Sequence, residues 1–192
     1  ITNKDRLLQK TPYTFDVSVW ELIMPLITGA TLVFAKPEGH KDPLYLEEII
    51  EEHTISIIHF VPSMLGAFLM QVSIDSCNSL RHLVCSGEAL PEQVVTDFKE
   101  LFLTTEIHNY YGPTEAAIDV TAINLSDSKR VNTSVSIGYP VANTSIYITN
   151  EDLKLQPIGV IGELIIEGIQ VAQGYLNKPE LTKAKFLESP FV

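Results

Sequence analysis

Between residues 11 and 109 the chain repeats one pattern, a short apolar run followed by a helix-period stripe. That repetition restricts the chain to a sheet of mostly parallel strands with helices on both faces, because parallel strands need crossovers long enough to hold a helix. TPYTF (11–15) has β character, and Ser18-Val19-Trp20-Glu21 fits a capping box that opens a helix. The helix stops near Gly29, with Pro25 inside it. TLVFA (31–35) reads as a compact buried strand. Asp42 followed by Pro43 opens a helix whose Leu46, Ile49, Ile50 and His53 share a stripe. ISIIHFV (55–61) is almost continuously apolar, as a strand covered on both faces requires. Ser63 is placed to cap the next helix, HLVCS (82–86) is a fourth strand, and Pro91 opens a helix with Val94, Val95, Phe98, Leu101 and Phe102 inward. TEIHN (105–109) closes the series.

After about residue 130 the period changes. SIGYP, TSIYIT and GVIGELIIEG cluster or alternate β-branched residues, with turn signals at Asn150 and Gly159. We therefore expect an α/β unit over 1–133 and, over 134–192, the start of a small β-barrel-like lobe.

Composition narrows the partners. The 192 residues are 45% hydrophobic, ample for one globular core. A formal charge of -11 argues against a nucleic-acid backbone as partner, although loops in an acidic protein can still cradle one nucleotide. No apolar run reaches spanning length and no basic-then-apolar leader opens the chain, so no membrane and a cytoplasmic location are expected. Cys77 and Cys85 lack metal-ligand spacing and read as small buried hydrophobes. The start at Ile1 points to an internal stretch of a longer protein.

In an open parallel sheet, ligands bind beyond the carboxyl ends of the strands. Asp16 follows the first run, His59 sits late in the third, Ser86-Gly87-Glu88 follows the fourth, and Asn109-Tyr110-Tyr111-Gly112-Pro113-Thr114-Glu115 follows the fifth. Taken singly, each has an ordinary structural reading. Asp16 can be a turn residue, His59 a core histidine, Gly87 a turn glycine, Asp119 a solvated acid, and Trp20, Tyr110 and Tyr111 packing aromatics. Their convergence on one mouth is the stronger signal. In 109–115, Gly-Pro forces a turn that lets a hydroxyl and a carboxylate face one place, and one such Glu suffices for Mg²⁺ bound together with substrate phosphates.

Three segments, Phe15-Asp16-Val17-Ser18, Asn109 to Glu115, and Gly162-Glu163-Leu164-Ile165-Ile166-Glu167-Gly168 continuing into VAQGYLNKPELTKAKF, resemble in order and spacing the core motifs of nonribosomal peptide synthetase adenylation domains. The resemblance covers essentially the whole chain. It implies an ATP-dependent ligase in which an amino-acid carboxylate attacks the α-phosphorus of ATP. The products are an aminoacyl-adenylate and pyrophosphate, and the acyl group then passes to the phosphopantetheine thiol of a carrier domain. Asp16 would pair with the substrate ammonium. Tyr111 would stack on adenine, with Asn109, Gly112 and the Gly87-Glu88-Ala89 backbone around it. Thr114 would contact the α-phosphate and Glu115 would hold Mg²⁺. Peptidyl carrier and condensation domains of the same synthetase would be the partners. The family's glycine-rich phosphate loop, ribose aspartate and C-terminal lysine have no counterpart among these residues, so the 192-residue chain alone is expected to be inactive.

The positions that vary with substrate in this family are here Asp16, Val17, Trp20, His59, Val84, Ser86, Tyr110, Ile118 and Asp119. The set resembles that of serine-activating members: Trp20 limits depth, while His59, Ser86 and Asp119 offer a polar end. Tyr110 departs from the aliphatic residue expected there. Two rivals stand beside this reading. One is an acyl- or aryl-CoA synthetase of the same superfamily, in which a buried Asp16 would be unpaired and costly. The other is a non-catalytic scaffold module, which would not need an intact 109–115 loop.

Overall fold

A computed structural model describes residues 1–126 and 134–191. Its strands are short because each apolar run is. In chain order they are β1 (Arg6–Gln9), β2 (Thr31–Phe34), β3 (Ile57–Phe60), β4 (His82–Cys85), β5 (Glu106–Tyr111), β6 (Thr121–Asn124), β7 (Tyr139–Pro140), β8 (Thr144–Thr149) and β9 (Glu163–Gly168). The helices are α1 (Ser18–Thr28), α2 (Pro43–His53), α3 (Pro62–Leu69), α4 (Glu92–Leu101) and α5 (Pro179–Lys185). The order across the large sheet is β2-β1-β3-β4-β5-β6-β7. Neighbours from β2 to β5 run parallel, and β6 and β7 are antiparallel. β8 and β9 pair antiparallel as a separate two-stranded sheet, the β-rich segment expected late in the chain.

Side-chain alternation assigns the two faces of the large sheet different tasks. Leu8, Ile58, Phe60, Leu83, Cys85 and Ile107 face the main core, where they meet Leu46 and Ile50 of α2, Leu65 and Phe68 of α3, and Val95 and Phe98 of α4. The opposite face carries Ile57, His59, His82, Val84, His108 and Tyr110, and α1 lies against it through the Trp20–His59 edge contact. Helices thus lie on both faces, but the second face keeps room for a ligand.

Several local expectations change. The first strand is Arg6–Gln9 rather than TPYTF: residues 12–17 fold as turns, with Phe15 N–H donating to the Pro12 carbonyl and Ser18 N–H to that of Phe15. The 18–21 capping box does not form. Glu21 is fully buried and its carboxylate is taken by Thr11 instead, from Oγ1 at 2.7 Å and from N–H at 3.1 Å. TLVFA is an edge strand with Val33 buried and Phe34 exposed. Ser63 lies inside the first turn of α3 rather than at its cap, and the open end is met by Glu88, which accepts from Ser63 N–H at 3.0 Å and Oγ at 3.1 Å. His53 stays half-buried at the end of α2. Other punctuation holds: Gly29 ends α1 in the left-handed conformation, and Asp42 caps α2 by accepting from Tyr45 N–H. β6, which extends the sheet past β5, has no counterpart in the sequence reading; β7 lies in SIGYP, expected in the later β lobe, but pairs with β6 in the large sheet, and the boundary expected at 133–134 abuts residues outside the described ones.

Candidate functional site

The turn after β1 delivers Asp16 to the rim of the open face, and Val17, buried, begins α1. One turn into the helix, Trp20 meets His59 edge-on at 6.4 Å between ring centroids, and Phe15 meets the same imidazole at 6.4 Å. His59 is buried in β3, and its Nε2 is hydrogen-bonded to Ser86 Oγ at 2.9 Å. Burial, with nearby Lys10 adding to it, holds His59 well below its ordinary pKa, so the imidazole is neutral. Among the described residues, its Nδ1 and the Trp20 Nε1 are buried without a hydrogen-bond partner. An orphaned polar atom in a dry wall is costly unless a ligand completes it, which singles out this wall as a binding surface.

Trp20, Val84, Tyr110, Ile118 and Asp119 line a cavity of about 420 Å³, together with Met24, Ala117, Gln170 and two histidines, His82 and His108. Asp119 is the unusual group there. Burial first, and the neighbouring Asp16 charge second, push its carboxyl up to about 7. Burial and Asp119 likewise raise the Tyr110 phenol.

A second cavity, of about 460 Å³, is lined by Gly87, Glu88, Ala89, Asn109, Tyr110, Tyr111 and Gly112, with Ser134, Val135 and Ile137. Tyr110 lines both, so it stands as the wall between them. Gly87 adopts φ +86°, and a Cβ there would lie 2.9 Å from the Phe15 ring, so the loop closes only with glycine. Glu88 turns its carboxylate to Ser63, leaving backbone toward the cavity, and Asn109 Nδ2 donates to the Ser136 carbonyl at 2.9 Å.

At Gly112 the backbone of 118–119 comes so close that a Cβ would sit 2.2 Å from the Ile118 carbonyl oxygen. Val120 N–H closes the 112–119 loop by donating to the Tyr111 carbonyl at 2.7 Å. Thr114 is exposed at its tip and Glu115 is half-buried. Tyr175 O–H donates to Glu115 Oε1, and that bond holds the carboxyl below its usual range and ionised.

Of the expected pocket set, Trp20, Val84, Tyr110, Ile118 and Asp119 line one cavity, whereas Asp16, Val17, His59 and Ser86 are not among its lining residues; the 87–89 and 109–112 residues surround the neighbouring cavity, with Thr114 and Glu115 beyond them on the loop. Three participants were not singled out from sequence. Tyr175 holds Glu115. Gln170 donates through Nε2 to the Asp119 carbonyl at 2.9 Å and accepts, at its own carbonyl, from Ala117 N–H at 2.9 Å. Lys10, half-buried with its ammonium 4.6 Å from the centre of the Phe60 ring, has its pKa lowered to about 8 by burial despite the attraction of Glu21. Gln170 and Tyr175 lie in the third motif segment, so their placement there was the available signal; Lys10 carried none.

Comparison with known proteins shows the family and the fold. A family model described as AMP-binding enzyme matches residues 1–176. Enterobactin synthase component F of Escherichia coli O157:H7 is 45% identical over 199 residues, covering 100% of this chain and 15% of that protein. Tyrocidine synthase 3 of Brevibacillus parabrevis is 42% identical over 191 residues, covering 100% of this chain and 3% of its own length. The crystal structure of the nonribosomal peptide synthetase FmoA3 in its α-methyl-L-serine-AMP bound form superimposes with a TM-score of 0.90 at 29% identity, over 98% of this chain and 22% of that one. The chain therefore spans a small part of each relative.

Proposed function

The chain belongs to the AMP-binding enzyme family, and from that premise we propose that it supplies the amino-acid pocket and part of the ATP site of a nonribosomal peptide synthetase adenylation domain. The observation that carries the proposal is the pair of adjoining cavities with Tyr110 as their common wall. One is lined by Trp20, Val84, Ile118 and Asp119, and the other by the 87–89 and 109–112 loops. A reaction that joins an amino acid to a nucleotide needs two such chambers meeting where the new bond forms.

In this reading Asp16 receives the α-ammonium at the rim of the first cavity, and the adenine lies in the second against Tyr111. The substrate carboxylate oxygen attacks the α-phosphorus, the bond to the bridging oxygen breaks, and pyrophosphate leaves with that electron pair. Thr114, exposed at the loop tip, donates to the α-phosphate. A carrier thiol, as its thiolate, then attacks the acyl carbon and AMP leaves; a peptidyl carrier domain is the partner this step requires, and a condensation domain of the same synthetase would use the thioester it forms. Glu115 fits an Mg²⁺ ligand, since it is ionised and only one of its oxygens is committed to Tyr175. Mg²⁺, when bound, supplies neutralisation of charge on the phosphates. Asp16 favours this reading over an acyl-CoA synthetase, because an apolar acid would leave that carboxylate beside Asp119 with no cation to pair it.

For the substrate we infer L-serine. Asp119 lines the cavity and the buried His59–Ser86 pair stands against its Trp20 wall, polar groups suited to a hydroxyl, and FmoA3 holds a serine-like adenylate. Pyrophosphate exchange by the full-length protein across the proteinogenic amino acids tests this. Serine should lead, with threonine about 10–200-fold behind because one added methyl discriminates weakly. Alanine should fall further, because it strands buried polar groups. His59→Ala should narrow the serine-to-alanine gap. Preference for a large apolar or aromatic amino acid would overturn the assignment.

A further inference from the structure

We propose that His82, Glu106 and His108 form a binding site for a divalent transition-metal ion of the zinc class, separate from Glu115 and the nucleotide loop. Sheet register creates the cluster. His82 on β4 is the direct partner of Glu106 on β5, and His108 lies two residues along β5, so all three side chains leave the same face of the sheet. Their donor atoms converge on one point. His82 Nδ1 lies 3.3 Å from His108 Nε2, and Glu106 Oε2 lies 3.5 Å from the first and 3.4 Å from the second.

Those three edges match what tetrahedral zinc requires. With metal–ligand bonds of about 2.05 Å, tetrahedral geometry places neighbouring ligand atoms about 3.3 Å apart. Two imidazole nitrogens and one carboxylate oxygen are a donor set that zinc and its neighbours prefer over Mg²⁺ or Ca²⁺. The surroundings are those of a supported site. Asn124 Nδ2 donates to Glu106 Oε2 at 2.9 Å, fixing the carboxylate, and the Tyr110 ring stands edge-on to His108 at 6.2 Å. Both histidines line the 420 Å³ cavity, so a fourth ligand can reach the ion from there. Without metal, three atoms that all carry lone pairs face each other and must share a proton; the ion takes that proton's place. Coordination through His82 Nδ1 puts a hydrogen on Nε2, which now faces Arg81 at 3.5 Å. Arg81 can turn that nitrogen away and keep its 2.7 Å bond to Asp5 through the other.

The test is Zn²⁺ titration of the chelator-stripped full-length protein against a chromophoric competitor, with Co²⁺ absorption reporting geometry. The wild type should bind one equivalent of Zn²⁺ more than a His82→Ala/His108→Ala double variant, with micromolar or tighter affinity, unaffected by excess Mg²⁺. Asn124→Ala should weaken that equivalent about 10-fold. Glu106→Gln, at a half-exposed position that leaves folding undisturbed, should weaken it more and abolish the tetrahedral Co²⁺ band. Equal stoichiometry in wild type and double variant, displacement by Mg²⁺, or a Glu106→Gln protein that binds as tightly as wild type would overturn the proposal.

Discussion

Replacing Asp119 by Asn should silence a proton release that accompanies amino-acid binding. Burial and the Asp16 charge together lift the Asp119 carboxyl from 3.8 to about 7, so at pH 7 about half of these sites hold a proton. Burial is the larger cause and the Asp16 charge the smaller. A substrate ammonium paired with Asp16 cancels the smaller cause and lowers the Asp119 carboxyl below about 7. Binding should therefore expel a fraction of a proton per amino acid at pH 7, fewer than the roughly half that the free site holds, read by calorimetry in buffers of different ionisation enthalpy. Asp119→Asn should bring the release to nearly zero while binding persists through Asp16. The stability sign follows the same carboxyl. A folded value above the unfolded one makes protonation favour the folded state, so the contribution is complete below about pH 3.8 and is lost as pH rises to about 7. The loss is about 1.4 kcal/mol for each of about three pH units, or about 4 kcal/mol. The variant should lack that slope. Proton release equal in wild type and variant, or proton uptake in the wild type, would refute the reasoning.

Gly112→Ala should lower stability by about 1–3 kcal/mol or more and slow adenylate formation, since the new Cβ must displace backbone at Ile118 and Asp119; thermal denaturation checks it, and an unchanged midpoint would contradict the close approach. At the buried Glu21, whose carboxyl burial raises, Glu21→Ala should cost about 1–3 kcal/mol by stranding the Thr11 N–H and hydroxyl, whereas Glu21→Gln should cost less, because an amide can still serve both groups and only the attraction to Lys10 is lost; urea denaturation of both variants decides.

The sheet was legible where one periodicity ruled. ISIIHFV and HLVCS are almost continuously apolar and too short for a typical helix, and they form strands with nearly every residue buried. The first strand was misplaced because local signals mislead there. Arg6–Gln9 contains two charged or polar residues in four, yet it is an interior strand, with Gln9 buried beside Thr11 and Glu21, while the β-prone TPYTF is held in turns around Pro12. The capping box failed for a related reason: Glu21 had a better partner in Thr11, ten residues away. Residue types at the site were readable from motif order, but their pairing was not. Neither the Tyr175–Glu115 bond across sixty residues nor the His82–Glu106 register leaves a periodic trace.

The 112–119 loop shows why the late segment belongs to the site's physics. Ile118 adopts φ 64°, a left-handed conformation that a β-branched residue reaches only at a cost of about 1–2 kcal/mol. Such strain persists only where the surroundings over-determine it. Here Gln170 bonds the loop from its carbonyl and its amide, at Ala117 N–H and the Asp119 carbonyl. Ala172 N–H donates to the Glu115 carbonyl at 2.8 Å, and Tyr175 takes the Glu115 carboxylate. The strained turn is what aims Asp119 into the cavity beside Asp16, and the 170–175 segment is what holds the turn. Pocket polarity and the position of Glu115 therefore depend on one strip of chain some fifty residues beyond them. Movement of that strip would alter both the amino-acid and the phosphate side of the site at once.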